Sequence, residues 1–412
     1  MDGRSSRRDK RNRGIENMRI EKIVGSGTFG VVYKAVDKTD PQMSEVALKR
    51  IKMERETQGF PVTAIREIKL LTLMRNHPNI VHLREIVTFD EANKSKEPSL
   101  ADKDFENGDV FMVFEFVDYD LSGLLKAGSM PLTDQHIRCY LHQLLLGTAC
   151  LHEADILHRD IKSANLLVTK HNVLKIADWG LARALPHDAA ASAKLTNPVV
   201  TLWYRSPEVI VGSKKYDKGV DVWSVGCIFG EMKTRVAMFR GETEPAQLDL
   251  IFQLTGLPQG PALQQYEALE QWSSMKLGPH KDSFQAKYGD SGKRGFDAQA
   301  LDLLRLLLDI DPARRITAQA ALQHPYFTEH EEELDPSRLA PIRIAPVTEW
   351  MENERMRLEY EKNKKRHREQ QAVQAQAQAQ AERPAIPSNL LHMAKQNNPE
   401  VTQKFKIVKK NK

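Results

Sequence analysis

The sequence is poor in cysteine and has no long hydrophobic run, and both absences limit what it encodes. It contains 3 cysteines in 412 residues, Cys139, Cys150 and Cys227, and no two of them are closely spaced. Such a set argues against a disulfide framework or a zinc site and favours a reducing compartment. No apolar stretch approaches the roughly 18 residues that cross a bilayer. The basic start MDGRSSRRDKRNR is not followed by the apolar stretch of a secretory signal, so we expect neither a membrane span nor secretion.

Charge is distributed unevenly along the chain. The formal net charge is +5, but residues 1–13 carry six basic and two acidic side chains, and residues 401–412 carry five lysines and no acid. The body between these tails is therefore mildly acidic. Basic tails are most simply solvated, and nuclear import or proximity to nucleic acid remains open. Because Phe405 is the one aromatic residue among the basic residues of these two tails, we expect no specific nucleic-acid binding.

The hydrophobic pattern changes along the chain. Residues 14–90 contain β-rich runs broken by glycine, followed by TAIREIKLLTLM, whose apolar spacing predicts a helix. Residues 91–108 are polar and predict a surface loop. After residue 120 long helical patterns dominate, such as HIRCYLHQLLLGTACLH. A strand-rich part followed by a helix-rich part predicts an α+β protein with two lobes.

The regular pattern ends near Phe327. Residues 349–370 are highly charged, and the spacing of Glu354 with Arg357 and of Glu361 with Lys365 weakly favours a helix. The following QAVQAQAQAQAE is of low complexity and lacks core-forming residues. We therefore expect residues 328–412 to be an extension, partly packed and partly disordered, and residues 1–17 to be a basic tail.

Three separate features of the N-terminal part suggest phosphate binding. Gly25, Gly27 and Gly30 form a GxGxxG pattern between two strand patterns, and no helix follows it. This context argues against a dinucleotide-binding turn and suits either a plain hairpin or a flap over phosphates. Lys49, on the next strand, is suited to reach a nucleotide's α- and β-phosphates, with Glu67 holding it. Each of these two charges alone is also compatible with a solvated surface.

The run His158-Arg159-Asp160-Ile161-Lys162-Ser163-Ala164-Asn165 is more specific, because it places a carboxylate, an ammonium and an amide within six residues. Asp178-Trp179-Gly180 and Ser206-Pro207-Glu208 follow in order. Together with the glycine pattern, Lys49 and Glu67, this ordered set resembles the signature of protein kinases.

The resemblance implies phosphoryl transfer from ATP with Mg²⁺. Asn165 and Asp178 would hold the metal, Lys162 would neutralise the transferred group, and Asp160 would orient a Ser or Thr hydroxyl. Lys49, positioned by Glu67, would fix the α- and β-phosphates. We interpret His158 as a packed structural residue.

Two further segments narrow the resemblance. Residues 59–67, GFPVTAIRE, resemble the PITAIRE form of the regulatory helix of cyclin-dependent kinases, and TNPVVTLWYR, residues 196–205, resembles their activation segment. The similarity covers residues 18–327, with a β-rich N-lobe at 18–115 and an α-rich C-lobe at 116–327. The sequence GFPVTAIRE, the polar insert and the basic extension resemble those of the transcription-elongation branch of this family, which phosphorylates the C-terminal heptads of RNA polymerase II. We therefore expect nuclear, and also cytoplasmic, localisation.

The resemblance also implies roles for further residues. A cyclin would press on the helix at 61–71 and push Glu67 toward Lys49, so that the chain alone would be nearly inactive. Thr196 would be the activating phosphorylation site. Thr201 would bridge Asp160 and Lys162. The remaining carried-over roles are these: Val24, Val32, Ala47, Phe114 and Leu167 walling the adenine pocket with the glycine loop above it, Glu115 and Val117 giving hinge hydrogen bonds, Asp120 near the ribose, Arg66, Arg159 and Arg183 gripping the phosphate, Val199 and Val200 favouring proline after the target residue, and Asp221 with the Glu208–Arg315 pair supporting the catalytic loop.

Three departures and three alternatives accompany this interpretation. Trp179 replaces the usual Phe, Ser206 stands where Ala or Pro is commoner, and Phe29 stands where an inhibitory Tyr is frequent, beside Thr28. The alternatives are a cell-cycle member of the same family, a partner-binding pseudokinase, and a nucleic-acid-binding module using the basic tails. The presence of Lys49, Asp160, Asn165 and Asp178 argues against a pseudokinase.

Overall fold

The structure is a computed structural model. It describes residues 14–27, 30–52, 59–90, 105–127, 132–185, 201–269, 271–275, 278–289, 296–358, 360–362 and 364. Contacts divide the chain into two units, Met1–Glu352 and Asn353–Lys412. The first unit contains the sheets and helices described next. In the second, residues 353–358 are helical, and Arg357 makes the expected ion pair with Glu354 at 2.6 Å between Nη2 and Oε1.

The N-terminal part is an antiparallel sheet of five strands in the order β1-β2-β3-β5-β4. Alternating side chains point to opposite faces of such a sheet. One face packs Tyr33, Leu48, Phe111 and Val113 into a small hydrophobic core. The other face is left for the cleft. The strands are β1 Met18–Gly27, β2 Gly30–Asp37, β3 Glu45–Arg50, β4 Leu83–Thr88 and β5 Val110–Glu115.

Helix α1, Val62–Leu73, is the helix that the TAIRE pattern predicts. It begins directly after Pro61, whose fixed φ suits a helix start. Its buried side is formed by Ala64, Glu67, Leu70 and Leu71. A carboxylate on the buried side of an amphipathic helix needs a partner, and the site below provides one.

Short strands connect the sheet to the helical part. β6 Tyr119–Asp120, β8 Leu166–Val168 and β9 Leu174–Ile176 form a three-stranded sheet, and β7 Ile156–Leu157 pairs with β10 Arg183–Ala184. The segment between β7 and β8 is therefore held at both ends, and it carries the predicted catalytic run. The segment between β9 and β10 carries Asp178-Trp179-Gly180.

The C-terminal part is helical and contains the larger core. Its longest helix, α3, is capped by the Thr133 side chain, which accepts from the His136 N–H. Helix α5 is buried nearly all round, with Trp223 and Phe229 fully enclosed, as expected for a central core helix. The helices are α2 Leu121–Ala127, α3 Asp134–Glu153, α4 Pro207–Ile210, α5 Gly219–Thr234, α6 Glu244–Thr255, α7 Gly260–Glu267, α8 Phe284–Tyr288, α9 Ala298–Leu307, α10 Ala318–Ala321 and α11 Pro325–Thr328.

The structure corrects the prediction that residues 91–108 are a surface loop throughout. Residues 91–104 lie outside the described residues, but Phe105 is 8% exposed and belongs to the small core. Its ring meets those of Tyr33, Phe89 and Phe111 with centroid distances of 4.9 to 5.8 Å in edge-to-face geometry. Edge-to-face aromatic pairs add to apolar burial, so the end of the insert stabilises the N-terminal part.

Residues 339–349 continue past the last helix and pack on the C-terminal part. Leu339, Ile342 and Val347 are at most 8% exposed and join the large core. Within the described ranges, no helix is long and apolar enough to cross a bilayer.

Candidate active site

The cleft face of the five-stranded sheet is set by strand register. Val32 is paired with Lys49, and Ala47 with Phe114. Since paired residues share a face, as do residues two apart on one strand, these four side chains lie on the same side of the sheet. It is the side opposite the small aromatic core. The predicted pocket wall and the predicted phosphate-binding lysine therefore occur together.

The glycine pattern forms a β-hairpin, in which Gly27 pairs with Gly30 and Gly25 with Val32. Gly30 has φ +139, and a Cβ there would lie 2.1 Å from the Arg50 carbonyl oxygen. Only glycine fits both this backbone angle and this approach. The start of β2 at Gly30 therefore lies close against the backbone at the end of β3. Thr28 and Phe29 lie outside the described residues.

Lys49 is the meeting point of two carboxylates. Its Nζ lies 2.7 Å from Oε1 of Glu67 and 3.2 Å from Oδ1 of Asp178. Burial disfavours the ammonium, but Asp178 and Glu67 outweigh it, so that the pKa of Lys49 is raised. Burial likewise opposes ionisation of Asp178, yet Lys49 holds its pKa below the usual value. Lys49 and Asp178 thus stay charged, and the contacts of Lys49 join the sheet to α1 and to the Asp178 segment.

The turn at His158–Asp160 is held from below by Asp221 of α5. Oδ2 of Asp221 accepts from the His158 N–H at 2.9 Å, and its Oδ1 accepts from the Arg159 N–H at 2.8 Å. His152 Nε2 lies 3.1 Å from Oδ2. Arg159 has φ +66, an uncommon angle for a non-glycine residue, so the turn depends on these bonds.

Asp160, Lys162 and Asn165 form a second cluster. Lys162 Nζ lies 2.9 Å from Oδ2 of Asp160, and the amide nitrogen of Asn165 donates to the same oxygen at 2.9 Å. Burial raises the pKa of Asp160, and Lys162 opposes that rise only in part. The Ala177 N–H donates to the Asn165 carbonyl at 2.9 Å, so the chain at Asp178 lies beside the chain at Asn165 and the two clusters are neighbours.

Asn165 and Asp178 fit a magnesium ion. The amide nitrogen of Asn165 is committed to the carbonyl oxygen and carboxylate of Asp160. Its amide oxygen is therefore the atom that it can present to a cation. Asp178 remains 32% exposed at its side chain and is negatively charged. Two oxygen donors of this kind, completed by phosphate oxygens and water, are the usual protein contribution to a Mg²⁺ site.

The comparisons with known proteins agree with this geometry. The family model described as a protein kinase domain matches residues 18–327. Cyclin-dependent kinase C-2 of Oryza sativa is 40% identical over 322 residues, which are 77% of this chain and 60% of that protein. A cell division control protein 2 homolog of Trypanosoma brucei is 39% identical over 311 residues, 74% of this chain and 90% of that protein. The chain belongs to the cyclin-dependent protein kinases.

A further relative carries the name of another cyclin-dependent kinase. The probable cyclin-dependent kinase 9 of Schizosaccharomyces pombe is 38% identical over 331 residues, 78% of this chain and 53% of that protein. Several relatives are longer than this kinase, which spans about 60% of the plant proteins' length. The predicted bilobal α+β fold and the predicted family are confirmed.

The hinge of the kinase follows β5. The Glu115 N–H donates to the His82 carbonyl at 3.3 Å, and its side chain pairs with Lys175 at 2.9 Å. Its carbonyl is thus the group that it can offer a nucleotide. Val117 is 7% exposed, while Val24 and Leu167 are half-buried. Leu167 is paired with Asp120 and lies two residues after Asn165.

The three predicted arginines converge in the kinase. Burial and the positive charges of Arg66 and Arg159 lower the pKa of Arg183 to about 10. Arg159 is further oriented by the Leu181 carbonyl at 2.8 Å and by the Tyr216 hydroxyl at 2.9 Å. A bound anion relieves the repulsion between the three guanidinium groups, and a phosphothreonine is such an anion.

The activation segment is described only in part. Thr196, Val199 and Val200 lie outside the described residues. Thr201 is exposed, and it lines a cavity together with Arg159, Asp160, Arg205 and Ser206. The predicted bridge from Thr201 to Asp160 and Lys162 stays a prediction.

The Glu208–Arg315 pair, a support predicted by resemblance, is well formed. Both guanidinium nitrogens of Arg315 donate to Glu208, at 2.8 and 3.0 Å. Trp179 is 1% exposed, and its Nε1 donates to the Ile176 carbonyl at 3.3 Å. The Trp179 ring meets that of His158 edge-on at 5.7 Å. Both aromatic groups therefore pack beneath the cleft, as expected for His158.

Sequence reasoning missed several residues that support the site. Tyr216 orients Arg159, Tyr119 contacts the chain after the kinase core, and Glu349 bonds to Asp120. Tyr216 lies in a polar run with no periodic signal. Glu349 opens a highly charged stretch that reads as solvated helix, so only the nearby apolar Ile342 and Val347 hinted at packing.

Proposed function

We propose that this protein transfers the γ-phosphoryl group of ATP to a Ser or Thr hydroxyl that precedes proline. The proposal depends on one observation, the convergence of Lys49, Glu67 and Asp178 with Asp160 and Asn165 around one cleft. Phosphoryl transfer needs positioning and charge neutralisation more than covalent chemistry, and this arrangement supplies both.

Each side chain has a role that its surroundings support. Bound Mg²⁺, held by Asn165 and Asp178, would neutralise charge on the triphosphate. Lys49 would hold the α- and β-phosphates. Lys162, 2.9 Å from Asp160, would meet charge on the transferred group. Asp160 would accept a hydrogen bond from the attacking hydroxyl and aim it at the phosphorus.

We further propose a cyclin as partner on α1. The solvent side of α1 exposes Val62, Ile65 and Leu73 at 68%, 52% and 62%. A short helix with three large exposed apolar side chains is suited to a protein interface. The Lys49–Glu67 pair is already 2.7 Å long in this structure, so a cyclin would stabilise this position of α1.

The heptad repeats of RNA polymerase II are the substrate that we propose, with the nucleus as the site of action. The GFPVTAIRE wording, the insert and the extension support this branch. Relatives named cyclin-dependent kinase 9 and cyclin-dependent kinase 12 match at 38% and 40% identity. A cell-cycle kinase is the second candidate, favoured by the 90% coverage of the trypanosomal relative.

The test uses the full-length chain purified with the cyclin-type subunit that co-purifies with it. We expect phosphate transfer to heptad peptides carrying Ser-Pro, little transfer to Ser-Ala peptides, and weaker transfer to histone. Lys49→Met and Asp160→Asn should each lower kcat/KM by about 10²-fold or more, by analogy with the loss of one preorganised charge-stabilising group. Exposed Lys281→Met is the matched control.

Three outcomes would overturn parts of the proposal. Retained transfer by a pure Asp160→Asn sample would refute the role of Asp160. A preference for histone over heptad peptides would favour the cell-cycle alternative. A wild-type complex without transfer to any of these substrates would favour a partner-binding pseudokinase.

A further inference from the structure

Residues 339–349, here called the strap, pack against the small three-stranded sheet of β6, β8 and β9. The Ile342 N–H donates to the Lys170 carbonyl at 2.9 Å, and Asn172 donates to the Ala340 carbonyl at 3.0 Å. Further on, the Tyr119 hydroxyl donates to the Ile344 carbonyl at 2.7 Å. These bonds anchor the strap at several points before it reaches β6.

The strap meets α2 at a position where only glycine allows the contact. A Cβ on Gly123 would lie 2.9 Å from the Val347 carbonyl oxygen and 3.0 Å from Cα of Thr348. Both of these atoms belong to the backbone and have little freedom to move aside. The absence of a side chain at Gly123 therefore permits the strap to lie against the first turn of α2.

The strap ends on the carboxylate of Asp120. Oδ2 of Asp120 accepts from the Glu349 N–H at 2.7 Å, and Oδ1 accepts from the Gly123 N–H at 2.6 Å. Asp120 is only 5% exposed. A buried carboxylate between two N–H donors has one defined orientation, because each lost donor leaves charge unsatisfied.

The side chain of Glu349 adds a second hold on α2. Its Oε1 lies 2.6 Å from Lys126 Nζ and accepts from the Ser122 hydroxyl at 3.2 Å. Asp120 is opposite Leu167 in the ladder of β6 and β8, and β8 directly follows Asn165. Glu349 therefore holds α2 directly after β6, and the β8 residue opposite Asp120 lies two residues after Asn165.

We propose that Glu349 is a positioning residue of the nucleotide site, whose main-chain N–H orients the carboxylate of Asp120, the residue predicted to lie near the ribose, and thereby strengthens nucleotide binding. The inference deepens the proposed function, because it takes the cleft to bind ATP. It assigns a role to Glu349, which lies in the segment after residue 327, where the kinase-domain match ends.

Two substitutions at one position separate the N–H from the side chain. Residues 349–352 are helical, with Thr348 as the cap: the Met351 N–H donates to its hydroxyl at 3.2 Å, and the Glu352 N–H to its carbonyl at 3.1 Å. Glu349 is thus the first helical residue, where proline is well tolerated. Glu349→Ala removes the carboxylate and keeps the N–H, whereas Glu349→Pro removes both.

The measurement is calorimetric titration of the full-length chain with Mg²⁺-ADP. At pH 8.5, above the pKa of about 7 of Asp120, we expect Glu349→Pro to bind about tenfold more weakly than Glu349→Ala, the order of one hydrogen bond to a charged group. In an Asp120→Asn background the difference between the two variants should vanish, since the N–H then has no carboxylate to orient. In the cyclin complex, the KM for ATP should rise while kcat at saturating ATP is retained.

Gly123→Ala provides a second route that leaves the strap sequence intact. It displaces the strap sterically, so we expect a similar loss of ADP affinity. Equal affinity of the proline and alanine variants, or a difference that persists in Asp120→Asn, would overturn the inference. Failure of the wild-type chain to bind ADP would instead overturn the proposed nucleotide site.

Discussion

Replacing Asp221 by Asn keeps the size of the side chain, but we expect it to destabilise the turn at His158–Asp160. The carboxylate of Asp221 is fully buried and accepts from the amides of His158 and Arg159, with His152 Nε2 also in contact. Burial opposes its ionisation, but the bonds from His152 and from the Arg159 amide hold the pKa of Asp221 below its usual value. An Asn side chain has the same size but only one acceptor oxygen.

The cost follows from counting donors. The two amides bond to different oxygens of Asp221, so an Asn in either orientation turns its NH₂ group toward one of them. One buried N–H then lacks an acceptor, which costs about 1–3 kcal/mol of unfolding free energy. For a domain of this size the melting temperature should fall by roughly 2–6 °C. Since Arg159 keeps φ +66 only under these bonds, kcat should fall about tenfold or more.

The assay combines thermal denaturation, kinase activity and hydrogen exchange of the His158 and Arg159 amides. Asp217→Asn is the matched control, because Asp217 is exposed near the start of α5 and bonds to the Gly219 N–H at 2.8 Å. We expect its stability to stay within about 0.5 kcal/mol of wild type. An Asp221→Asn protein with unchanged melting temperature, exchange and kcat would refute the idea that this carboxylate holds the turn.

Two further predictions concern buried charge. Glu208→Gln should lower the free energy of unfolding by about 3–5 kcal/mol, because it leaves Arg315 buried without its anion. Urea denaturation measures the loss, and a loss below about 1 kcal/mol would contradict the prediction. Burial raises the pKa of Asp120 from 3.8 to about 7, so between these pH values the folded state binds one more proton than the unfolded state. The free energy of unfolding should therefore fall as pH rises from 5 to 7, by at most about 1.4 kcal/mol per pH unit from this group. Urea midpoints of wild type and Asp120→Asn across this range test it, and parallel profiles would count against it.

Much of the site was predictable because its chemistry lies in short segments with fixed spacing. Asp160 and Asn165 are five residues apart, and their relation is set by one turn. Lys49 and Glu67 lie on neighbouring elements whose patterns, a strand and an amphipathic helix, were clear in the sequence. Strand register then brings Val32 and Phe114 to the same face without further information.

The strap and the insert were not predictable by the same reasoning. Phe105 closes a polar insert, and its burial depends on rings from three separate strand or loop segments. Glu349 lies 229 residues after Asp120 in the chain, and no local pattern links them. Contacts of this kind are set by tertiary packing, which periodicity does not report.

The surroundings of Asp160 and Asp178 suit the two carboxylates to the different tasks that we propose for them. Lys49 overcomes the cost of burying Asp178 and keeps its pKa low, so that it stays an anion for a metal. Asp160 is buried with less compensation from Lys162, so its pKa is raised and its oxygens are more basic. A more basic carboxylate holds the proton of a substrate hydroxyl more firmly, which is what an orienting acceptor requires. When two neighbouring carboxylates have different pKa values, one can bind a metal while the other accepts a proton. Here the difference depends on the lysine beside each carboxylate, Lys49 for Asp178 and Lys162 for Asp160.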